Sequence, residues 1–139
     1  MNKILSIIIV ILACLCSCSS DETNDTFQLI GYTTNSNCNS IKEDGLLLNS
    51  HEDVVNKIPD MVDDIKVKLE NIDYHKNSII CLFSHRSNYY DVERVEYAND
   101  KINVYCHFAL DFELAFPGNG VTVISLPKIK DNSRIVVIE

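Results

Sequence analysis

"SIICLFS", residues Ser78–Ser84, is the stretch on which the fold turns. Ile79 to Phe83 run without a polar interruption, so a strand here is apolar on both faces, the mark of a central strand covered from two sides. Everything after it reads as β. "DVERVEYA" and "KINVYCHF" flank Asn99-Asp100, a pair suited to a two-residue hairpin turn. From Ile102 to Phe116 the alternation is unbroken: Ile102, Val104, Cys106, Phe108, Leu110, Phe112, Leu114 and Phe116 face one way. Asn103, Tyr105, His107, Ala109, Asp111, Glu113 and Ala115 face the other. A straight strand of that length would span roughly 50 Å, more than a domain of this size measures across, so a bend or break is expected near Ala109. "PGNG" then turns the chain, "VTVISL" returns it and "RIVVIE" closes the sheet.

On the N-terminal side of Ser78 the pattern is mixed. "FQLIGY", Phe27 to Tyr32, predicts a first strand, and "NSNCNSIKEDG" a loop closed by Gly45. "LLLN" gives a short strand. Ser50 with Asp53 three residues on is close to a capping box, and Val54, Val55 and Ile58 form an apolar stripe that Pro59 ends. In "DMVDDIKVKLENI" the spacing of Val62, Ile65, Leu69 and Ile72 suits a helix, while Ile65, Val67 and Leu69 also alternate as in a strand. Good helix formers at Met61, Lys66, Lys68, Leu69 and Glu70 favour the helix. The order β–β–α–(α)–β–β–β–β–β predicts an α+β fold. Its antiparallel β-meander sheet is expected to carry one or two short helices on one face and leave the other partly wet.

The chain opens with "MNKILSIIIVILACLCSCSSDETND". Lys3 is a positive n-region and Ile4 to Leu15 an apolar run of export-signal length, shorter than the roughly 20 residues a spanning helix needs. "LCSC" resembles a bacterial lipobox, which implies lipidation at Cys18; Cys14, preceded by "ILA", is the alternative site. "CSSDE" is similar to the Ser-then-acidic signal that carries lipoproteins to the cell surface in Bacteroidota-type bacteria. The expected organisation is a lipoprotein signal peptide over 1–17, a lipidated Cys and polar tether over 18–26, and one domain over 27–139. The expected location is the outer membrane, surface-exposed, held through the N-terminal lipid.

Residues 1–17 hold one basic residue, Lys3, and no acidic one, so their removal takes the net charge from −8 to −9. That balance argues against nucleic acid as a partner, since phosphate backbones are met by clustered Lys and Arg. Cys38, Cys81 and Cys106 remain besides the anchor. Cys81 and Cys106 lie within apolar runs and are expected as small buried hydrophobes, with a Cys81–Cys106 or Cys38-linked bridge as the other possibility.

"LLLNSHEDVVNKI", "IDYHKNSIICLF", "VTVISLPK" and "VVIE" together resemble small Bacteroidota surface lipoproteins of unknown function. More distantly, they resemble PrcB-type protease-complex-subunit domains, over residues 46–139. "SNYYD" stands where the PrcB-type domains have a Gly-Gly-Tyr-like turn. The resemblance implies a binding or stabilising module rather than an enzyme, and no cofactor is expected.

No phosphate-binding loop, nucleophile elbow or zinc-protease motif occurs. The loop "HRSNYYD" is the leading candidate binding site, through His85, Arg86, Tyr89 and Tyr90, because Tyr and Arg are enriched where proteins hold partners tightly. Ser84, His85 and Asp91 share that loop, but a triad is recognised by geometry that a short loop would supply only by accident. His107, Asp111 and Glu113 form a weaker metal-binding alternative, an imidazole and two carboxylates on one strand face. The expected activity is non-catalytic binding of a protein or envelope component. The alternatives are a carbohydrate- or small-ligand module on the wet face, including Tyr105 and His107, and a small metal-dependent enzyme.

Overall fold

The computed structural model describes residues 27–35, 41–58, 63–86, 88–109, 119–129 and 133–139. Cys14, Cys18 and Cys38, the 110–118 segment with Asp111 and Glu113, and Pro59 lie outside the described residues. The fold is α+β, with the seven strands and two helices of the described residues set in three layers.

The middle layer is a four-stranded antiparallel sheet. Its order is β1 (Gln28–Asn35), β6 (Asn119–Pro127), β3 (Asn77–Phe83), β2 (Gly45–Leu48). Side chains alternate across a strand, so β3 sends Ile79, Cys81 and Phe83 to one face and Ile80 and Leu82 to the other; all five are fully buried. β6 does the same with Val121 and Val123 against Ile124 and Leu126. On the first face lie α1 (His51–Lys57) and α2 (Asp63–Glu70), which contribute Val54, Ile65 and Leu69, with Ile58 just beyond α1. On the second lies a three-stranded sheet in the order β4 (Tyr90–Ala98), β5 (Lys101–Phe108), β7 (Arg134–Ile138). Val95, Ile102, Val104 and Cys106 of that sheet fill the space against Leu47, Ile80, Leu82, Ile124 and Leu126.

The expectation of a partly wet second face is corrected here. A strand apolar on both sides exposes one set of side chains unless two layers cover it, and the final strands supply the second layer. β7 does not close the first sheet: it pairs in parallel with β5, from Lys101↔Arg134 to Tyr105↔Ile138. The outer face of the three-stranded sheet is the wet one. It carries Arg94, Glu96, Tyr105 and His107.

Local signals behave as their chemistry dictates. The Asp53 N–H donates to Ser50 Oγ (3.1 Å), and the Asp53 carboxylate takes the Asn49 N–H (2.7 Å), one residue earlier than a capping box reaches. Val54 is buried, but Val55, about 100° further round the helix, points to solvent. In α2, Ile65 and Leu69 are buried and Val67 is exposed, the helical period rather than the alternating one. Asn99 takes a left-handed φ of 55°, as a two-residue hairpin between Ala98 and Lys101 requires. β5 ends at Phe108 and the chain bends at Ala109.

Cys81 lies in the core under the helices and Cys106 in the core between the sheets, so the body of the sheet separates them and a Cys81–Cys106 bridge is not made. Both are buried thiols. Burial, reinforced by Glu139 and Glu93, pushes the Cys106 thiol up to about 12 from 9.0. Burial likewise pushes the Tyr74 phenol up to about 12 from 10.0. In both cases the neutral form is favoured by folding. The stability this contributes is complete below about pH 9 and is lost as pH rises toward 12. The urea midpoint is expected to hold between pH 7 and 8.5 and to fall steadily from pH 9.5 to 11. The fall should be shallower in Cys106→Ala; an unchanged midpoint at pH 11 would contradict the burial of these groups.

Candidate functional site

The loop from Ser84 to Tyr89 joins the two sheets, and its backbone is tied to β6. The Ser84 N–H donates to the Gly120 carbonyl (3.0 Å), and the Gly120 N–H donates to the Arg86 carbonyl (2.9 Å). The Ser84 hydroxyl donates to the Asn88 carbonyl (2.6 Å) and accepts the Arg86 N–H (3.3 Å). Further on, the Tyr90 N–H donates to Thr122 Oγ1 (3.0 Å), and the Thr122 hydroxyl donates back to the Tyr90 carbonyl (2.8 Å). Gly120 makes this possible: a Cβ there would lie 1.5 Å from the Asn88 carbonyl oxygen. His85 is held with φ at 51°, a left-handed conformation that a residue with a side chain enters only under such constraint.

The two adjacent tyrosines part company, because neighbours on an extended chain face opposite sides. Tyr90 turns inward. It is 4% exposed, stacks on Phe108 with centroids 5.1 Å apart, and donates its hydroxyl to the Glu139 carboxylate at 2.6 Å. Burial and the Glu139 bond both raise its pKa. Tyr90 is therefore a core residue, not part of a binding surface. Tyr89 turns outward and meets Tyr32 of β1, with ring centroids 5.1 Å apart and planes tilted by 39°. The Tyr32 hydroxyl donates to Asp91 Oδ1 at 2.6 Å. Burial first, then Asp91, pushes that hydroxyl up to about 12.

At the other end of the loop His85 Nε2 lies 3.4 Å from Asp44 Oδ1, beside β2. The Arg86 guanidinium sits 5.0 Å from the Phe108 centroid. The surface this loop builds is thus His85, Arg86, Tyr89 and Tyr32, with Asp91 bracing the tyrosine pair. Tyr32 was not singled out from the sequence. Only the pairing of β1 with β6, Tyr32 opposite Thr122, carries it to Tyr89.

The residues of the other constellations have these neighbours. Ser84, His85 and Asp91 each bond elsewhere, to Asn88, Asp44 and Tyr32. His107 is exposed and its Nδ1 stands 3.1 Å from Glu93 Oε1 across the hairpin, while Asp111 and Glu113 lie outside the described residues. Among the described residues no three His, Cys, Asp or Glu side chains gather closely enough to hold a metal ion. Tyr105, on the same wet face, has its ring covered by Arg94 at 3.6 Å and donates its hydroxyl to Glu96 at 2.8 Å. The Arg94 guanidinium thus occupies one face of that ring.

Gly120→Ala is expected to cost about 3 kcal/mol, the upper end of overpacking penalties, because the clash is with backbone, lowering the Tm by about 10 °C. Tyr89→Ala, on the surface the loop presents, is expected to cost less than about 1 kcal/mol. Thermal denaturation of the two variants side by side checks both. A Gly120→Ala protein as stable as the parent would show that the loop is not clamped as described.

No protein-family model, curated protein or solved structure gives a significant match to this chain.

Proposed function

We propose that the chain is a lipoprotein of the cell envelope, anchored through acylated Cys18, whose domain is a non-catalytic module that holds a partner protein on the surface made by His85, Arg86, Tyr89 and Tyr32. The observation that carries this reading is the clamped loop. Ser84 and Gly120 fix the backbone before any partner arrives, so the pair of exposed Tyr32 and half-buried Tyr89 is ordered in advance and little conformational freedom is left to lose on binding. Tyrosines beside an arginine are the residue types most often found at the centre of tight interfaces. The N-terminal signal supports the location. A cysteine carrying two or more acyl chains gives stable anchoring, where one chain binds only marginally. The acidic tether, Ser19 to Thr26, has no apolar residue to bury and spaces the domain from the lipid. The resemblance to surface lipoproteins and to PrcB-type domains points toward the same class of role.

A glycan is the second reading, favoured by one feature: two aromatic rings stand beside the Asp91 carboxylate, the combination that stacks on a sugar and accepts its hydroxyls.

The test uses the lipidated chain in its native membrane, with a photo-crosslinking amino acid at His85. One discrete protein adduct is expected in the parent. It should be lost in Tyr32→Ala/Tyr89→Ala while membrane association is unchanged. Cys18→Ala is expected to abolish palmitate incorporation; retained label would move the anchor to Cys14. Adducts that are absent, or identical in both proteins, would remove the protein-partner reading, and a glycan array on the same pair of proteins would then decide the second.

A further inference from the structure

Tyr90, Tyr105 and Tyr32 each donate a hydroxyl to a carboxylate. Tyr90 does so in the core; the other two pairs lie at the surface, and the structure shows what completes one of them. On the outer face of the three-stranded sheet, Tyr105 donates to Glu96 Oε2 at 2.8 Å. The Arg94 guanidinium lies 3.6 Å from the centroid of that same ring, and Arg94 Nε stands 3.0 Å from Glu96 Oε1. Ring, carboxylate and guanidinium each touch the other two. A phenol that donates toward a carboxylate gains electron density in its ring, which strengthens the pull of the ring face on a cation.

Tyr32 and Asp91 repeat the first two parts of that arrangement. The Tyr32 hydroxyl donates to Asp91 Oδ1 at 2.6 Å, Tyr32 is 38% exposed, and Tyr89 sets a second ring 5.1 Å away. Asp91 forms no ion pair among the described residues. The cations of the neighbourhood are engaged elsewhere. His107, opposite Asp91 in the β4–β5 register, is turned to Glu93. His85 stands by Asp44, and Arg86 by the Phe108 ring. Glu93, Glu96 and Asp44 thus each have a basic side chain beside them, whereas Asp91 has a phenol.

We infer that Tyr32 and Asp91, with Tyr89 beside them, receive an arginine side chain of the partner protein in the arrangement that Arg94 adopts on Tyr105 and Glu96. This rests on the partner-protein reading above and adds the chemistry by which that partner is recognised. A guanidinium is planar, so it stacks on a ring and donates to the carboxylate at once, which a compact ammonium does not. The net charge of −8 draws a basic partner toward the same surface.

The test is NMR of the tyrosine ring signals in the intact lipidated chain in detergent micelles. Blocked Gly-X-Gly peptides are added in turn, with X arginine, lysine or citrulline, the neutral isostere of arginine. The arginine peptide is expected to shift the Tyr32 and Tyr89 rings and to bind about threefold or more tighter than the citrulline peptide. That advantage should vanish in Asp91→Asn, which keeps an acceptor for the Tyr32 hydroxyl, and shrink as salt is raised. Equal binding of the lysine or citrulline peptide, or no shift of these rings, would overturn the inference. The adduct formed at His85 separates it from the reading on which it rests. An adduct undiminished in Asp91→Asn removes the arginine and leaves the partner protein. No adduct in the parent removes the partner protein, and the peptide titration still judges the guanidinium site.

Discussion

The structure depends on the burial of one sheet on both faces. β3 and β6 carry apolar side chains up and down, and each set must leave water. A fully buried Leu or Ile stabilises the fold by about 1.5–3 kcal/mol, and these two strands bury Ile79, Ile80, Leu82, Ile124 and Leu126 between them. No single covering layer collects both sets. Two helices cover one face and a second sheet covers the other, and every further feature follows from fitting those covers. The hairpin β4–β5 folds over the sheet, β7 returns to lie beside β5, and the Ser84–Tyr89 loop bridges the layers where β3 ends.

The elements were largely legible in the chain. The N-cap at Ser50, the period of Ile65 and Leu69, the Asn99-Asp100 hairpin and the two-faced character of "SIICLF" are local facts, decided by a residue and its near neighbours. What covers what is a long-range fact. The apolar second face of β3 called for a further layer, but nothing in "RIVVIE" announces a parallel partner rather than a sheet edge. Val55 and Val67 look like core residues on composition and are exposed, because helix rotation rather than hydrophobicity decides their side.

The candidate site divides in the same way. The loop was visible as a cluster of Tyr, Arg and His, and alternation alone requires that Tyr89 and Tyr90 face opposite ways, though not which is buried. Tyr32 was invisible, because its approach to Tyr89 is made by the β1–β6 register and not by any spacing along the chain. The clamp is likewise split between Ser84 and Gly120, whose meeting is made by strand pairing and not by any spacing along the chain.

The strand order sets when in synthesis the domain can form. β1, the first strand, pairs with β6, Gln28 opposite Ser125. β5 must likewise wait for β7. Contacts this distant along the chain close slowly. A polypeptide threading through a translocation channel from its N-terminus would therefore emerge with its first strand unpartnered until almost all of the rest had followed. Such a topology leaves the core incomplete until the last strands are free to pair.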